Sequence, residues 1–401
     1  MQVEFREIKL VTRAFPGTAN PNPGWDDLAM DCVRPPSIIG GLRWWFRAIA
    51  GGVLKEKGTL KNIQDNEGRL FGSTSIASPI RISTSWEGVP NRDGGVGANF
   101  SPIGYLAFGK TNQQAYLPSD FPFKVHLRSN CPESLKLASC LLDLWIAFGG
   151  VGGRWRHGLS SMTIENSRHS DPVVLLDEAR RAMQPWLKTT GNETMEGPRF
   201  AVAHPAFLTI SRFRPDNVRN EEEALGFCER TWRDYRFADQ WSKPKNKDRH
   251  GIIKEASSKV QHTQNSGAFH GVLLNPATTR NPTVRFSMLG MPIPFSVWNP
   301  REEKRSKAML VWDQESGGGR LASPIWLRPK VEGGKWSVYA LGWKYDAARG
   351  RDLRLAYNAK TPRRGTLATA DRNQAEQVDD YFQYLANLGW TGIAWPKETN
   401  Q

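Results

Sequence analysis

Two hydrophobic periods alternate along the chain, and they do so in an order that repeats. An apolar residue at every second position marks half-buried strands, and spacings of three and four mark amphipathic helices. On this basis residues 2–14 read as a strand, 37–50 as a helix, 79–86 and 103–127 as strands, 133–148 as a helix and 159–165 as a strand. The order is βαββαβ. It returns in the second half as a strand at 200–213, a helix at 221–237, strands within 308–343, a helix at 373–389 and a short strand around Gly392 to Trp395. The fold class expected is α+β, with two tandem ferredoxin-like (RRM-type) βαββαβ domains carrying insertions.

A short repeat supports the duplication. Ala77-Ser78-Pro79-Ile80 follows the first helix of the first unit, Ala322-Ser323-Pro324-Ile325 follows that of the second, and Arg81 or Arg328 comes within three positions. Asp171-Pro172 has the form of an N-cap with a first-turn proline, opening a connecting helix to about Met183. Gly191 to Pro198 reads as linker. The expected domains are therefore 1–166, a connector at 167–198, and 199–401 with a basic insertion at 241–281 that bears Lys243, Lys245, Lys247, Arg249 and Lys254. The Gly317-Gly318-Gly319 run fits a hairpin turn.

Charge narrows the class of partner. The 401 residues carry 54 Lys and Arg against 40 Asp and Glu, a net charge of +14, with 39% hydrophobic residues. Such a chain is globular and attracts polyanions, although solvated surface charge alone gives the same balance. Cys32, Cys131, Cys140 and Cys228 lack CxxC spacing, so no zinc or redox motif is read from them; reduced thiols and a cytoplasmic setting are expected. Charges within the first fifteen residues, and Lys136 and Asp143 within the most apolar run, argue against a signal peptide and a membrane span. No cofactor and no metal site is expected.

Two stretches carry candidate chemistry. The first is Arg34-Pro35-Pro36-Ser37-Ile38-Ile39-Gly40-Gly41-Leu42-Arg43-Trp44-Trp45-Phe46-Arg47. Ser37 has the character of a helix N-cap. Ile38, Leu42, Trp45 and Ile49 then form an apolar face, while Gly40, Arg43 and Arg47 share another that suits a phosphate backbone. Gly40 and Gly41 would let a ligand approach the anion-attracting first turn. The second stretch, Gly149 to Gly158, lacks the sixth-position glycine of a Rossmann loop and the Gly-Lys-Ser/Thr ending of a Walker loop. Its bare amides around Gly152 and Gly153, together with Arg154, Arg156 and His157, can line an anion path, and Trp155 offers a stacking face for an unpaired base.

Taken in order, the Arg34 to Ala48 stretch, Leu70-Phe71-Gly72-Ser73, Ala77 to Ile80 and the Gly149 to Gly158 loop resemble the RAMP superfamily. Within it they are most similar to the family of first subunits of the Cmr complex, the type III-B CRISPR effector. The resemblance is dense over residues 1–165 and sparse beyond, where Arg320 to Arg328 is the clearest piece. It implies two ferredoxin-like domains and a non-catalytic subunit that binds CRISPR RNA near its 3′ end. It also implies assembly with the other Cmr subunits and help in capturing single-stranded target RNA in antiviral defence. By position it implies RNA contacts at Ser37, Gly40, Arg43, Arg47, Arg154, Arg156 and His157, and Arg34, Trp44, Gly152 and Gly153 of the same two stretches are further candidate contacts. Trp155 departs from the small and basic residues usual in that loop.

Three other readings stay open. Some RAMP backbone subunits cut RNA with a loop aspartate between the first strand and first helix, a window that here holds Asp26, Asp27 and Asp31. A carboxylate there can hold Mg²⁺ or orient a 2′-hydroxyl, but aspartates beside Pro21, Pro23 and Gly24 are also ordinary turn residues. Histidine-dependent processing would draw on His250, His262 and His270, whose separations fit no metal-ligand spacing. Finally, the 16 tryptophans can serve a scaffold, with Trp298, Trp312, Trp326, Trp336 and Trp343 as core residues or docking points.

Overall fold

A computed structural model of the chain describes residues 1–17, 25–54, 60–87, 115–164, 171–187, 200–237, 283–284, 293–299, 304–312, 322–345, 353–356, 366–370 and 373–395. The basic insertion 241–281 with its three histidines, the linker 191–198 and the Gly317–Gly319 turn lie outside the described residues. The first motif runs β1 (Gln2–Leu10), α1 (Trp25–Asp31), α2 (Pro35–Val53), α3 (Leu60–Phe71), β2 (Ile80–Ser85), β3 (Pro122–Ser129), α4 (Pro132–Phe148) and β4 (Met162–Ile164). Its antiparallel sheet has the order β2-β3-β1-β4, in which the first strand lies between the third and the fourth. Helix α5 (Pro172–Met183) follows, and its N-cap is Asp171, whose Oδ1 accepts a hydrogen bond from the Val173 amide at 2.8 Å.

The second motif repeats the scheme with β5 (Leu208–Phe213), α6 (Glu221–Phe237), then β6 (Thr283–Val284), β7 (Ile293–Asn299) and β8 (Lys304–Trp312). After these come β9 (Ile325–Glu332), β10 (Lys335–Trp343), β11 (Leu353–Ala356), β12 (Thr366–Ala370), α7 (Gln374–Asn387) and β13 (Thr391–Gly392). Strands β13-β5-β10-β9 form a four-stranded sheet with the same internal order as the first. Both sheets are therefore ferredoxin-like. The remaining strands form a five-stranded sheet, β6-β12-β11-β8-β7, built wholly from segments inserted on either side of the β9–β10 hairpin. Strands were expected within 308–343, which overlaps β8, but a separate sheet was not, and α1 and α3 were likewise missed.

Two compact units result. One comprises residues 1–230, 326–343 and 385–401, and the other 231–325 and 344–384. In the first, the predicted apolar face of α2 is the buried one: Ile38, Leu42, Trp45 and Ile49 are each at most 1% exposed. Charges that interrupt the apolar runs meet across the core, since Arg6 donates to both Asp143 carboxylate oxygens of α4, at 2.7 and 3.0 Å. In the second unit, Trp232 and Tyr235 of α6 pack edge-on against Tyr381 of α7.

The four-residue repeat does the same job in both motifs. Ser78 Oγ accepts from the Ile80 amide and donates to the Ile80 carbonyl, and Ser323 Oγ does so with Ile325. Each serine thus bridges its proline and launches the second strand of its motif.

The two glycines of α2 differ. A Cβ on Gly41 would lie 2.5 Å from the Trp145 ring, whereas one on Gly40 would meet nothing within 4 Å. Gly41 is a packing glycine that lets α2 approach α4, which corrects the expectation that both glycines open the first turn to a ligand. Gly41→Ala is expected to destabilise the fold by about 1–3 kcal/mol, and Gly40→Ala to stabilise it by about 0.5–1 kcal/mol, as read from urea unfolding midpoints. Equal effects of the two substitutions would contradict this assignment.

Candidate nucleic-acid interface

Helix α2 begins two residues before Ser37. Arg34 is the N-cap with extended backbone, Pro35 and Pro36 occupy the first helical positions, and the Ser37 amide donates to the Arg34 carbonyl at 3.0 Å. The prolines preset φ and have no N–H to satisfy, so the helix starts on them. Ser37 is an exposed residue of the first turn and does not cap. Exposed Gly40 lies one turn on.

The arginines of this helix are unequal. Arg43 donates to Glu67 Oε1 at 3.0 Å and, through Nη2, to the carbonyls of Phe71 and Gly72 at 2.9 and 2.7 Å. It closes the carboxyl end of α3, where orphan carbonyls and the helix dipole favour a cation. Arg47 pairs more loosely with the other oxygen of Glu67, at 3.5 Å, and its side chain remains 47% exposed. Both arginines line an open concavity of about 440 Å³ with Gln64, Gly72 and Ser73. Arg34 pairs with Asp31 at 3.0 Å.

That pairing bears on the aspartates. Asp26, Asp27 and Asp31 lie on helix α1 and not in a turn, because the helix starts just past the Pro-Gly run and two carboxylates favour its first turn. Asp26 is exposed, Asp27 and Asp31 are half-buried, and among the described residues no group of three or more His, Cys, Asp or Glu is placed to hold a metal.

The glycine loop is built by close backbone approach. Gly152 has φ +80°, and a Cβ there would collide with the Phe15 carbonyl; the Gly153 amide donates to that same carbonyl at 2.9 Å. Arg154 adopts φ +63° and is exposed, and the His157 amide donates to its carbonyl at 3.0 Å. His157 forms a bridge to Leu327 of β9, and the Leu327 amide donates to the Arg156 carbonyl at 2.8 Å.

Beneath the loop is Arg328, 0% exposed. Its guanidinium donates to the carbonyls of Trp155, Leu159 and Ser160 at 2.9, 3.2 and 3.1 Å. Burial pushes its pKa down to about 9, and the neighbouring Lys330 down to about 8. The Lys330 ammonium lies over the rings of Phe148 and Tyr339.

A tryptophan cluster joins helix and loop. Trp326 lies 4.7 Å from Trp44 and 4.6 Å from Trp155, ring centre to ring centre, and Trp343 lies 5.0 Å from Trp44. The Arg156 guanidinium lies over both Trp155 and Trp326, at 5.2 and 5.6 Å. Trp155, expected as a free stacking face, is half-buried edge-on against Trp326, because a large apolar ring next to an apolar neighbour buries first. Arg328, Glu67 and the linking role of Trp326 were missed. The four-residue repeat and the Arg320 to Arg328 resemblance pointed toward Arg328, and the crowding of tryptophans toward Trp326, while nothing pointed toward Glu67.

Residues 7–163 match the family model of the RAMP superfamily. That segment is similar to RAMP sequence. The chain is 35% identical over 138 residues to CRISPR system Cmr subunit Cmr1-1 of Pyrococcus furiosus, covering 33% of this chain and 40% of that one. It is 25% identical over 158 residues to CRISPR system Cmr subunit Cmr1-2 of the same organism, covering 33% of this chain and 82% of that one. The chain thus matches less than half the length of the first relative. The crystal structure of Cmr1 from Pyrococcus furiosus in its apo form superposes with a TM-score of 0.53 at 18% identity, covering 98% of this chain and 99% of that one. This last likeness is one of fold. The RAMP segment contains α2, the glycine loop and their flanking strands.

Arg328→Leu leaves three buried carbonyls without their donor and is expected to lower stability by about 2 kcal/mol. It should also speed amide hydrogen exchange selectively at residues 152–160; unchanged protection there would show that the clamp does not hold the loop. Lys330→Met should stabilise the protein at pH 7, because the wild type keeps a desolvated charge. The folded-state pKa of about 8 lies below the unfolded value, so wild-type stability rises with pH from about 8 to the ordinary lysine range, and the advantage of the variant shrinks over that window. Unfolding midpoints from pH 7 to 10 measure it.

Proposed function

We propose that the chain is a non-catalytic RNA-binding subunit of a type III-B CRISPR Cmr effector complex. In this reading it contacts CRISPR RNA near the 3′ end, helps capture single-stranded target RNA and assembles with the other Cmr subunits in the cytoplasm. The observation that carries the proposal is the RAMP segment at 7–163, with its similarity to two Cmr subunits, ending in a glycine loop clamped from below by Arg328. Fixed backbone and forked guanidinium donors bind phosphates whatever the bases, and pairing of guide with target supplies sequence specificity.

In this reading the twelve candidate residues divide the labour, a division supported by their exposure. Arg47, Arg154, Ser37 and Gly40 are exposed and meet the phosphates; Gly152, Gly153 and His157 shape the backbone path. Arg34, Arg43, Trp44, Trp155 and Arg156 are half-buried and hold those groups in place. The rival reading, cleavage by an aspartate, is weakened by the ion pair that ties Asp31 to Arg34.

Labelled single-stranded and double-stranded RNA, titrated with Mg²⁺ or chelator, tests both readings. Wild type should shift intact single-stranded RNA, and contact with about five phosphates gives a log-log salt slope near −3.5. Arg47→Ala combined with Arg154→Ala should weaken binding while leaving stability within about 0.5 kcal/mol. Arg43→Ala should cost about 1–3 kcal/mol of stability, since it strands two carbonyls and Glu67. Metal-dependent fragments that vanish on mutating Asp26, Asp27 or Asp31 would move the assignment to ribonuclease, and a flat salt response would contradict the phosphate path.

A further inference from the structure

The helices cover one face of the first sheet, and among the described residues the other face carries the exposed side chains Val3, Phe5, Arg81 and Arg128. Alternation along β1 sends Arg6, Ile8 and Leu10 toward α4 and the core, and leaves Val3 and Phe5 outside, 51% and 55% exposed. Register completes the outer rows. Val3 faces Arg128, which faces Arg81; Phe5 faces His126, which faces Ser83; Glu7 faces Lys124, which faces Ser85. The Phe5 and His126 rings are 6.2 Å apart, and Lys124 is neutralised by Glu7 at 2.7 Å.

The first row is the anomaly. Arg81 and Arg128 are exposed like charges directly opposite each other on neighbouring strands, an arrangement that destabilises a sheet, and among the described residues neither has an ion-pair partner. Next to them stand an exposed phenylalanine and a histidine ring. A surface shaped by stability alone has no reason for either. A polyanion with flat apolar faces satisfies both, placing phosphate between the arginines and an unpaired base on Phe5.

We infer that the outer face of the first sheet, formed by Phe5, His126, Arg81 and Arg128, is a second binding surface for single-stranded RNA. It rests on the reading that the chain binds such RNA, and adds a platform separate from α2 and the glycine loop. Base stacking on an aromatic carried by a sheet tolerates any sequence and requires an unpaired strand, so a duplex is excluded.

Fluorescent oligouridylate titrated into the full chain tests it. Phe5→Ala should weaken binding about five- to hundredfold. Arg81→Gln with Arg128→Gln should make the salt slope shallower by about 1.4, with unfolding midpoints no lower than wild type because the like-charge pair is gone. Ultraviolet crosslinks should map to the β1 and β3 peptides. If both variants hold oligouridylate as wild type does, while Arg47→Ala with Arg154→Ala loses it, the sheet-face inference falls and the proposed function stands. If wild type does not bind, both fall. A change in sedimentation of Phe5→Ala at unchanged RNA affinity would identify a protein contact instead and overturn the inference.

Discussion

A buried guanidinium sets the terms for the rest of this molecule. Arg328 has no carboxylate partner among the described residues; its charge is spread over three carbonyls, Trp155 in the glycine loop and Leu159 and Ser160 just after it. Desolvating an arginine is expensive, and the only compensation in reach is peptide oxygen. The loop must therefore keep these carbonyls turned inward, its Val151, Gly153, His157 and Gly158 amides are taken by internal acceptors, and the Arg154 side chain stays exposed. A segment with so many glycines would otherwise sample many conformations. The clamp turns it into a fixed surface, and the bridge from His157 to Leu327 pins the same segment to β9.

The arginines of the candidate interface show how one residue type is allotted to different tasks by its surroundings. Arg43 meets a carboxylate and two helix-end carbonyls and becomes structural, whereas Arg47, one turn further along, shares the same carboxylate loosely. Glu67 is the arbiter: buried at 7% exposure, it needs cations and takes the nearer one more completely.

Much of the fold was legible in the sequence, and the reason is physical. Strands and helices that bury one face write a period into the chain, so α4, α5, α6 and α7 lie within a residue or two of their expected spans, and the ferredoxin order emerged twice. Elements whose periods are short or polar were invisible. Helix α3 is mostly charged and amide side chains, and three strands of the five-stranded sheet, β6, β11 and β12, are short and far apart in sequence. At the interface, residue types were legible and allegiances were not. Nothing in the spacing of Gly40 and Gly41 says which one faces Trp145, and nothing in the repeat ahead of Arg328 says that its charge turns inward.

The way the five-stranded sheet is assembled carries a consequence for how the chain folds. Strands β8 and β11 are neighbours in that sheet yet flank the whole β9–β10 hairpin in sequence, so pairing them closes a long loop. The entropy of closure falls once the hairpin has shortened the effective distance between them. The β7–β8 and β11–β12 pairings are local, and it is the β8–β11 pairing that joins them into one sheet which topology makes easier once the hairpin has formed. Lengthening the chain between β8 and β11 raises the closure cost of that pairing only slowly, so the sheet tolerates a long connection at its centre.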